Sequence, residues 1–209
     1  MTMPITSTSL VSIASKPLEE PLKKVDSGPL IEQLVDTFLS KKNGFFAYEY
    51  ALLVRPMSSA KAPLGVIEWN IPNLWKEQYE TNLSDHIFFA ENIFGEQYSI
   101  THDGVYSFDP ELGELSFMAE NLSGWEAVIL GDFDFNTGYS LAKKWQSKNR
   151  MLFKGERLIP KQPFVLQGEF NVDNLIVKPD VEAMKIRAGL ANEIANLPDG
   201  SEIQFKITG

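Results

Sequence analysis

Residues 86–119 read His86-Ile87-Phe88-Phe89-Ala90-Glu91-Asn92-Ile93-Phe94-Gly95-Glu96-Gln97-Tyr98-Ser99-Ile100-Thr101-His102-Asp103-Gly104-Val105-Tyr106-Ser107-Phe108-Asp109-Pro110-Glu111-Leu112-Gly113-Glu114-Leu115-Ser116-Phe117-Met118-Ala119. Four runs within it, 86–90, 97–101, 104–108 and 114–119, have strand length and are rich in aromatic and β-branched residues. The last two are joined by Asp109-Pro110-Glu111-Leu112-Gly113. Proline presets φ there and glycine supplies a positive φ, so this segment predicts a hairpin. The connections are too short for helices, and the sheet they predict is antiparallel.

Working outward, Pro29 stands where a first helical turn accepts proline, and Leu30, Ile31, Leu34, Val35, Phe38 and Leu39 follow at helical spacing. Asn43-Gly44 ends that helix. Residues 45–54 form a dense apolar run that predicts a buried segment, 64–71 are mixed, and 72–79 read as a short helix begun by Pro72. Downstream, Ser123 is positioned to cap a helix through Trp125, Val128, Ile129 and Leu130 to about residue 132. A second helix is predicted near 140–147, with Leu141, Ala142 and Trp145 on one side. Pro160 and Pro163 precede two strand-like runs, 164–166 and 175–177. Asp180 then caps a helix to about residue 197 with Val181, Met184, Ala188, Ala191 and Ile194 apolar. Asp199-Gly200 turns the chain into a last strand, 202–207.

Strands gathered in the middle and flanked by helices predict an α+β fold: a single domain, 29–209, with a central antiparallel sheet and helices packed around it. A parallel nucleotide-binding sheet would need strand and helix to alternate, and they do not. Residues 1–28 are rich in Ser, Thr, Pro and paired charges, and predict a poorly ordered or extended arm.

The 209 residues include no cysteine, which excludes disulfides, thiolate nucleophiles and Cys-based metal centres. The two histidines, His86 and His102, have no ligand spacing and leave few groups for acid–base work near neutral pH. The first 14 residues lack a basic n-region, and no apolar run approaches the roughly 18–20 residues of a membrane span. A cytoplasmic location without membrane contact is the expectation.

Charge is unevenly placed. Residues 45–135 carry three basic and fifteen acidic groups, a net of −12, whereas 1–44 balance and 136–209 carry +3. Such an acidic middle repels nucleic acid and acidic membranes and steers basic partners.

Catalytic motifs are weak. Val128-Ile129-Leu130-Gly131-Asp132-Phe133-Asp134-Phe135-Asn136-Thr137-Gly138 has the apolar run and Asp-x-Asp of haloacid-dehalogenase-like phosphotransfer loops, but its threonine falls one position late. Asp103, Asp109, Glu111 and Glu114 surround the hairpin without EF-hand spacing. No Gly-rich phosphate loop or nucleophile elbow occurs. The sequence therefore assigns no catalytic residue, no metal and no cofactor.

Several segments taken together are similar to the SUKH superfamily of bacterial immunity proteins and fungal cell-wall-synthesis regulators. They are Gly44-Phe45-Phe46-Ala47-Tyr48-Glu49-Tyr50-Ala51-Leu52, Leu74-Trp75, the stretch from Ile87 to Tyr98, Asp109-Pro110-Glu111-Leu112-Gly113-Glu114, Trp125, Thr137-Gly138, Trp145, Glu156-Arg157-Leu158-Ile159-Pro160-Lys161 and Pro163-Phe164. The likeness runs over about residues 30–207 and is borne by fold positions.

It implies an α+β domain that binds and neutralises a cognate toxin domain, a nuclease in many members, without enzymatic activity. A nuclease presents cationic surface to phosphate, and an acidic partner occupies that surface as a decoy. Charge placement nominates Asp103, Asp109, Glu111 and Asp134 as partner-binding residues. A scaffold module without a toxin is the alternative that the fungal relatives imply. An enzyme with dispersed carboxylates would announce itself by a pocket holding two of them.

Overall fold

Strands β1 (Phe45–Ala47), β2 (Leu52–Val54), β3 (Ile87–Asn92), β4 (Gln97–Thr101), β5 (Gly104–Asp109) and β6 (Glu114–Ala119) pair in strict chain order as one antiparallel sheet. In such a meander alternate turns share an end. The turns at 48–51, 93–96 and 110–113 therefore lie together, and the β4–β5 turn lies at the opposite end. The computed structural model describes residues 8–22, 28–198, 205 and 207.

The hairpin predicted at 109–113 forms in register, Asp109 opposite Glu114. Asp109 Oδ1 accepts from the Glu111 N–H at 2.7 Å, and Gly113, at φ 70°, donates to the Asp109 carbonyl at 2.8 Å. The first strand runs to Asn92, two residues beyond the expected end, with a bulge between Phe88 and Ala90.

Adjacent side chains of β3 face opposite layers. Phe89 packs with Tyr98, Ile100, Phe38 and the Trp125 of α4 (Leu122–Gly131). Phe88 packs on the other side with Trp75, Phe108 and Met184 of α7 (Asp180–Ala195). Trp125 meets Phe89 edge-on at 4.9 Å, and Trp75 meets Phe88 at the same distance. Each such buried Phe contributes about 1.5–3 kcal/mol, so the two-sided burial makes β3 the centre of the domain. A second sheet, β7 (Glu156–Pro160) with β8 (Leu175–Pro179), is tied to the first by the Leu158 N–H donating to Ile93 O at 3.0 Å.

Helix α2 (Pro29–Leu34) begins at Pro29 and continues as a π-helical turn, Val35–Leu39. The run 45–54 resolves into the β1–β2 hairpin, and 64–71 contains α3 (Val66–Trp69). The region 72–79 is two 3-10 turns, Pro72–Leu74 and Lys76–Gln78.

Several expectations need correction. Asn121, not Ser123, caps α4, its side chain accepting from Gly124 N–H. The run Phe164–Leu166 is a 3-10 turn, because Pro163 precedes it and Gln167 closes it at φ 65°. The partner of β8 is instead β7, which the proline-rich spacing disguised. Asp180 does not cap α7: Pro179 holds the cap position, no side chain caps it, and the Asp180 carboxylate turns inward toward Arg55. The expected strand 202–207 falls largely outside the described residues, although Ile207 N–H donates to Lys161 O at 2.8 Å.

Residues 8–22 do run partly extended, but they dock. A capping box between Ser9 and Ser12 starts α1 (Leu10–Ile13), and Leu10 is fully buried in the first core. The amides of Ser15, Leu18 and Glu19 donate to the carbonyls of Phe46, Gly44 and Asn43. This segment belongs to the domain that the sequence placed after residue 28.

Candidate functional site

Behind the shared end of the sheet lies a buried charge network. Arg55, just past β2, and Arg157 of β7 both approach Glu91 Oε1 of β3, at 2.8 and 2.5 Å. Asp180 Oδ2 lies 3.5 Å from Arg55, whose guanidinium covers the Trp69 ring at 3.5 Å. Gln97 donates to Glu91 Oε2 at 2.8 Å and accepts from Trp69 Nε1. Burial alone would raise the Glu91 carboxyl, but Arg157 and Arg55 hold it below its ordinary value. Two cations face two anions almost wholly removed from solvent, so the network ties the layers together and offers nothing to a ligand.

In front of it, a cavity of about 280 Å³ opens between the turns 93–96 and 110–113, the loop 164–170 and α7. Glu96, Asp109, Glu111, Asn92 and Arg187 supply its polar atoms. Phe94, Phe164 and Phe170 supply a ring wall. Phe164 and Phe170 stack at 4.1 Å, and Phe94 meets them edge-on at 5.6 and 5.4 Å.

Arg187 is fixed by its own helix and the turn, donating from Nε to Ala183 O at 3.0 Å and from Nη1 to Phe94 O at 2.6 Å. Two glycines permit this geometry. A Cβ at Gly95 would come within 2.6 Å of Arg187 Nη2, and one at Gly138 within 2.2 Å of the Phe94 ring. Both also have positive φ.

Among the described residues none of the three carboxylates has a cationic side chain within 4 Å, and Arg187 acts on Glu96 and Glu111 only from farther across the cavity. Glu111 is only 6 % exposed, and its Oε2 accepts from Val165 N–H at 3.0 Å. Glu96 Oε2 accepts from Asn92 Nδ2 at 2.8 Å. Burial, and then the charge of Asp109, push Glu96 up to about 7. Burial likewise raises Glu111.

The next surface feature is built by α5 (Phe133–Thr137) and α6 (Tyr139–Lys148). Asp132 Oδ1 accepts from Phe135 N–H at 3.2 Å, and Asp134 Oδ1 from Ser140 N–H at 2.6 Å. The Asp-x-Asp motif is thus capping chemistry for two helix starts. Phe135 is 83 % exposed. Phe170 borders this depression as well as the cavity, so the two form one continuous acidic and aromatic face. Phe133 stacks on Tyr48 at 4.8 Å. Tyr48 begins a turn in which three successive non-glycine residues, Tyr48, Glu49 and Tyr50, have φ of 51°, 52° and 77°. Left-handed backbone costs each of them on the order of 1 kcal/mol or more, and such strain collects at functional surfaces.

Of the nominated residues, Asp109 and Glu111 line the cavity and Asp134 lies in the adjoining depression. Asp103 does not join them. It sits in the β4–β5 turn at the far end of the sheet. Sequence reading also missed Glu96, Arg187, Phe135 and Phe170. Arg187 carried a signal, three residues after Met184 and four before Ala191 on the apolar stripe of α7. His86 hydrogen-bonds Ser99 Oγ at 2.8 Å, with burial lowering its pKa. Among the described residues no three acidic or imidazole groups converge to hold a metal, and no helix is long and apolar enough to cross a membrane.

No family model matches the chain, and no curated protein does. The solved structure of Atu4351 from Agrobacterium tumefaciens is similar over 84 % of this chain and 85 % of its own, with a TM-score of 0.50 at 14 % sequence identity. At that identity the likeness is one of fold alone. The chain is a single α+β domain built on an antiparallel sheet.

Proposed function

We propose that this chain is a non-enzymatic immunity protein of SUKH type, which binds a cognate toxin domain in the cytoplasm and covers its active surface. The observation that carries the reading is the face at the shared turn end. Carboxylates that outnumber the single nearby cation, Arg187, lie there side by side with exposed rings, the composition suited to a cationic protein surface with aromatic anchors. A nuclease toxin supplies such a surface because it must neutralise phosphate. Carboxylates already in place attract it over distance and displace the nucleic acid.

The test is capture of partners by the tagged chain from lysate of its own host at low and then high salt. A stoichiometric basic domain, salt-sensitive and with nuclease activity that the purified chain abolishes, is the expected result. Recovery of house-keeping regulators alone, insensitive to salt, would replace this reading with a scaffold module.

One observation favours a second reading. A carboxyl lifted to about 7 beside Asp109 and Glu111 in a cavity has the proton inventory of a hydrolase. Turnover of any ester, phosphoester or glycoside panel member, lost in Glu96→Gln, would establish it.

A further inference from the structure

We propose that the cavity between Glu111, Glu96 and the Phe94–Phe164–Phe170 wall is a socket for one arginine side chain, presented by the bound partner. This rests on the protein-binding reading above and names what the face grips.

The chemistry of the socket selects its occupant in steps. Glu111 is a buried carboxylate lining the cavity without a cation within 4 Å among the described residues. A buried carboxylate held only by backbone N–H donors and a more distant cation is costly to keep ionised, and a positive group placed beside it reduces that cost. Asp109 and Glu96 add two more carboxyls, against the single positive charge of Arg187. Arg187 lines the same cavity and its charge partly offsets Glu111 and Glu96, but Ala183 O and Phe94 O hold its Nε and Nη1, and three carboxyls against one cation leave the cavity acidic.

A metal ion does not fit, since among the described residues these groups do not converge closely enough to ligate one. The volume, about 280 Å³, falls just below the ~300–1,000 Å³ range of small-molecule sites. One long side chain suits it better than a free metabolite. The walls then separate arginine from lysine. A guanidinium is flat, stacks on rings, donates in a fork to carboxylates and sheds water more readily than an ammonium. Phe170, stacked on Phe164, is 66 % exposed, so much of this ring at the mouth remains open to solvent.

Proton balance follows. Glu96 is partly protonated near neutral pH, and a guanidinium entering the socket favours its ionised form. Binding of the cation therefore releases a proton from Glu96 Oε, and affinity rises as pH increases from about 6 to about 8.

The experiment uses the isotope-labelled full chain titrated with N-acetyl-arginine amide, N-acetyl-lysine amide and N-acetyl-citrulline amide, read by amide and aromatic NMR shifts. The arginine derivative is expected to saturate at millimolar concentrations, moving Glu111, Val165 and Phe170. The lysine derivative should bind about 5-fold more weakly, and citrulline, isosteric but neutral, should not saturate. Glu111→Gln is expected to weaken arginine binding about 10-fold. If Glu111→Gln disturbs the fold, Phe170→Ala serves, because its ring is largely exposed, with an expected loss of about 3-fold.

Absence of saturation by the arginine derivative, or equal shifts with citrulline, would overturn the socket. Toxin capture in the preceding test would be untouched by that result. Conversely, a saturable arginine site on a chain that captures no toxin would leave the socket standing and sink the immunity reading.

Discussion

Arg157 Nη2 lies 2.5 Å from Glu91 Oε1, joining the central strand of the large sheet to the first strand of the small one. Both side chains are about 1 % exposed. The pair is also incomplete as a hydrogen-bond array: among the described residues Arg157 Nε and Arg55 Nε have no acceptor. Its stability therefore depends on charge balance more than on ideal geometry.

Glu91→Ala leaves Arg55 and Arg157 buried against Asp180 alone. The expected destabilisation is about 3–5 kcal/mol, read as a lower urea midpoint at neutral pH. A loss below about 1 kcal/mol would mean that water reaches the two arginines.

Glu96 and Glu91 impose opposite pH dependences. The Glu91 carboxyl is held below its unfolded value, so its contribution is present above the ordinary carboxylate range and is lost as pH falls through the folded value. Glu96 is raised from 4.5 to about 7, so its contribution is full below about 4.5 and is lost as pH rises through about 7. Glu96→Gln should abolish the second loss, worth at most about 3 kcal/mol, making the variant the more stable form at about pH 8. Parallel stability profiles for the two proteins would refute this.

Asp134→Asn keeps the oxygen that caps α6 while removing its charge. On the proposed binding role, it should slow association with the captured partner domain several-fold at low salt and leave the melting temperature nearly unchanged. Asp103→Asn, at the opposite end of the sheet, should alter neither. Stopped-flow association at two ionic strengths separates the cases.

Phe135→Ala removes a ring that is 83 % exposed, so stability should shift by no more than about 0.5 kcal/mol. Partner affinity should fall by about 10-fold or more if the ring is an anchor. Calorimetric titration with the captured domain decides it.

Leu10→Ala tests the docking of the N-terminal segment. The side chain is fully buried, and its backbone N–H donates to Glu126 Oε1 at 2.7 Å. A loss of about 2–4 kcal/mol is expected by thermal or urea unfolding. A negligible effect would show that residues 8–22 only lie along the surface.

Local chemistry was legible from the sequence alone. The Asp109–Gly113 hairpin, the four central strands, the Pro29 helix start and the long helix after Pro179 follow from turn residues, period and proline geometry, which act within a few residues. Those signals predict an antiparallel sheet with surrounding helices, and that is the fold. Ser123 is as good a cap by type as Asn121, and only the chain path decides which oxygen meets the amide. Strand β7 escaped the pattern because it ends at Pro160 in a proline-rich stretch and its partner β8 lies across a long loop.

Tertiary structure alone decided the site. Asp103 and Asp109 are six residues apart with similar sequence surroundings, yet the meander sends them to opposite ends of the sheet. Glu96, Glu111, Phe170 and Arg187 come from four separate segments, and no local pattern encodes their meeting. The residue's own chemistry fixes what it can do. Its partners, burial and access are set by packing between distant segments, and those decide whether a carboxylate caps a helix, balances an arginine or lines a cavity.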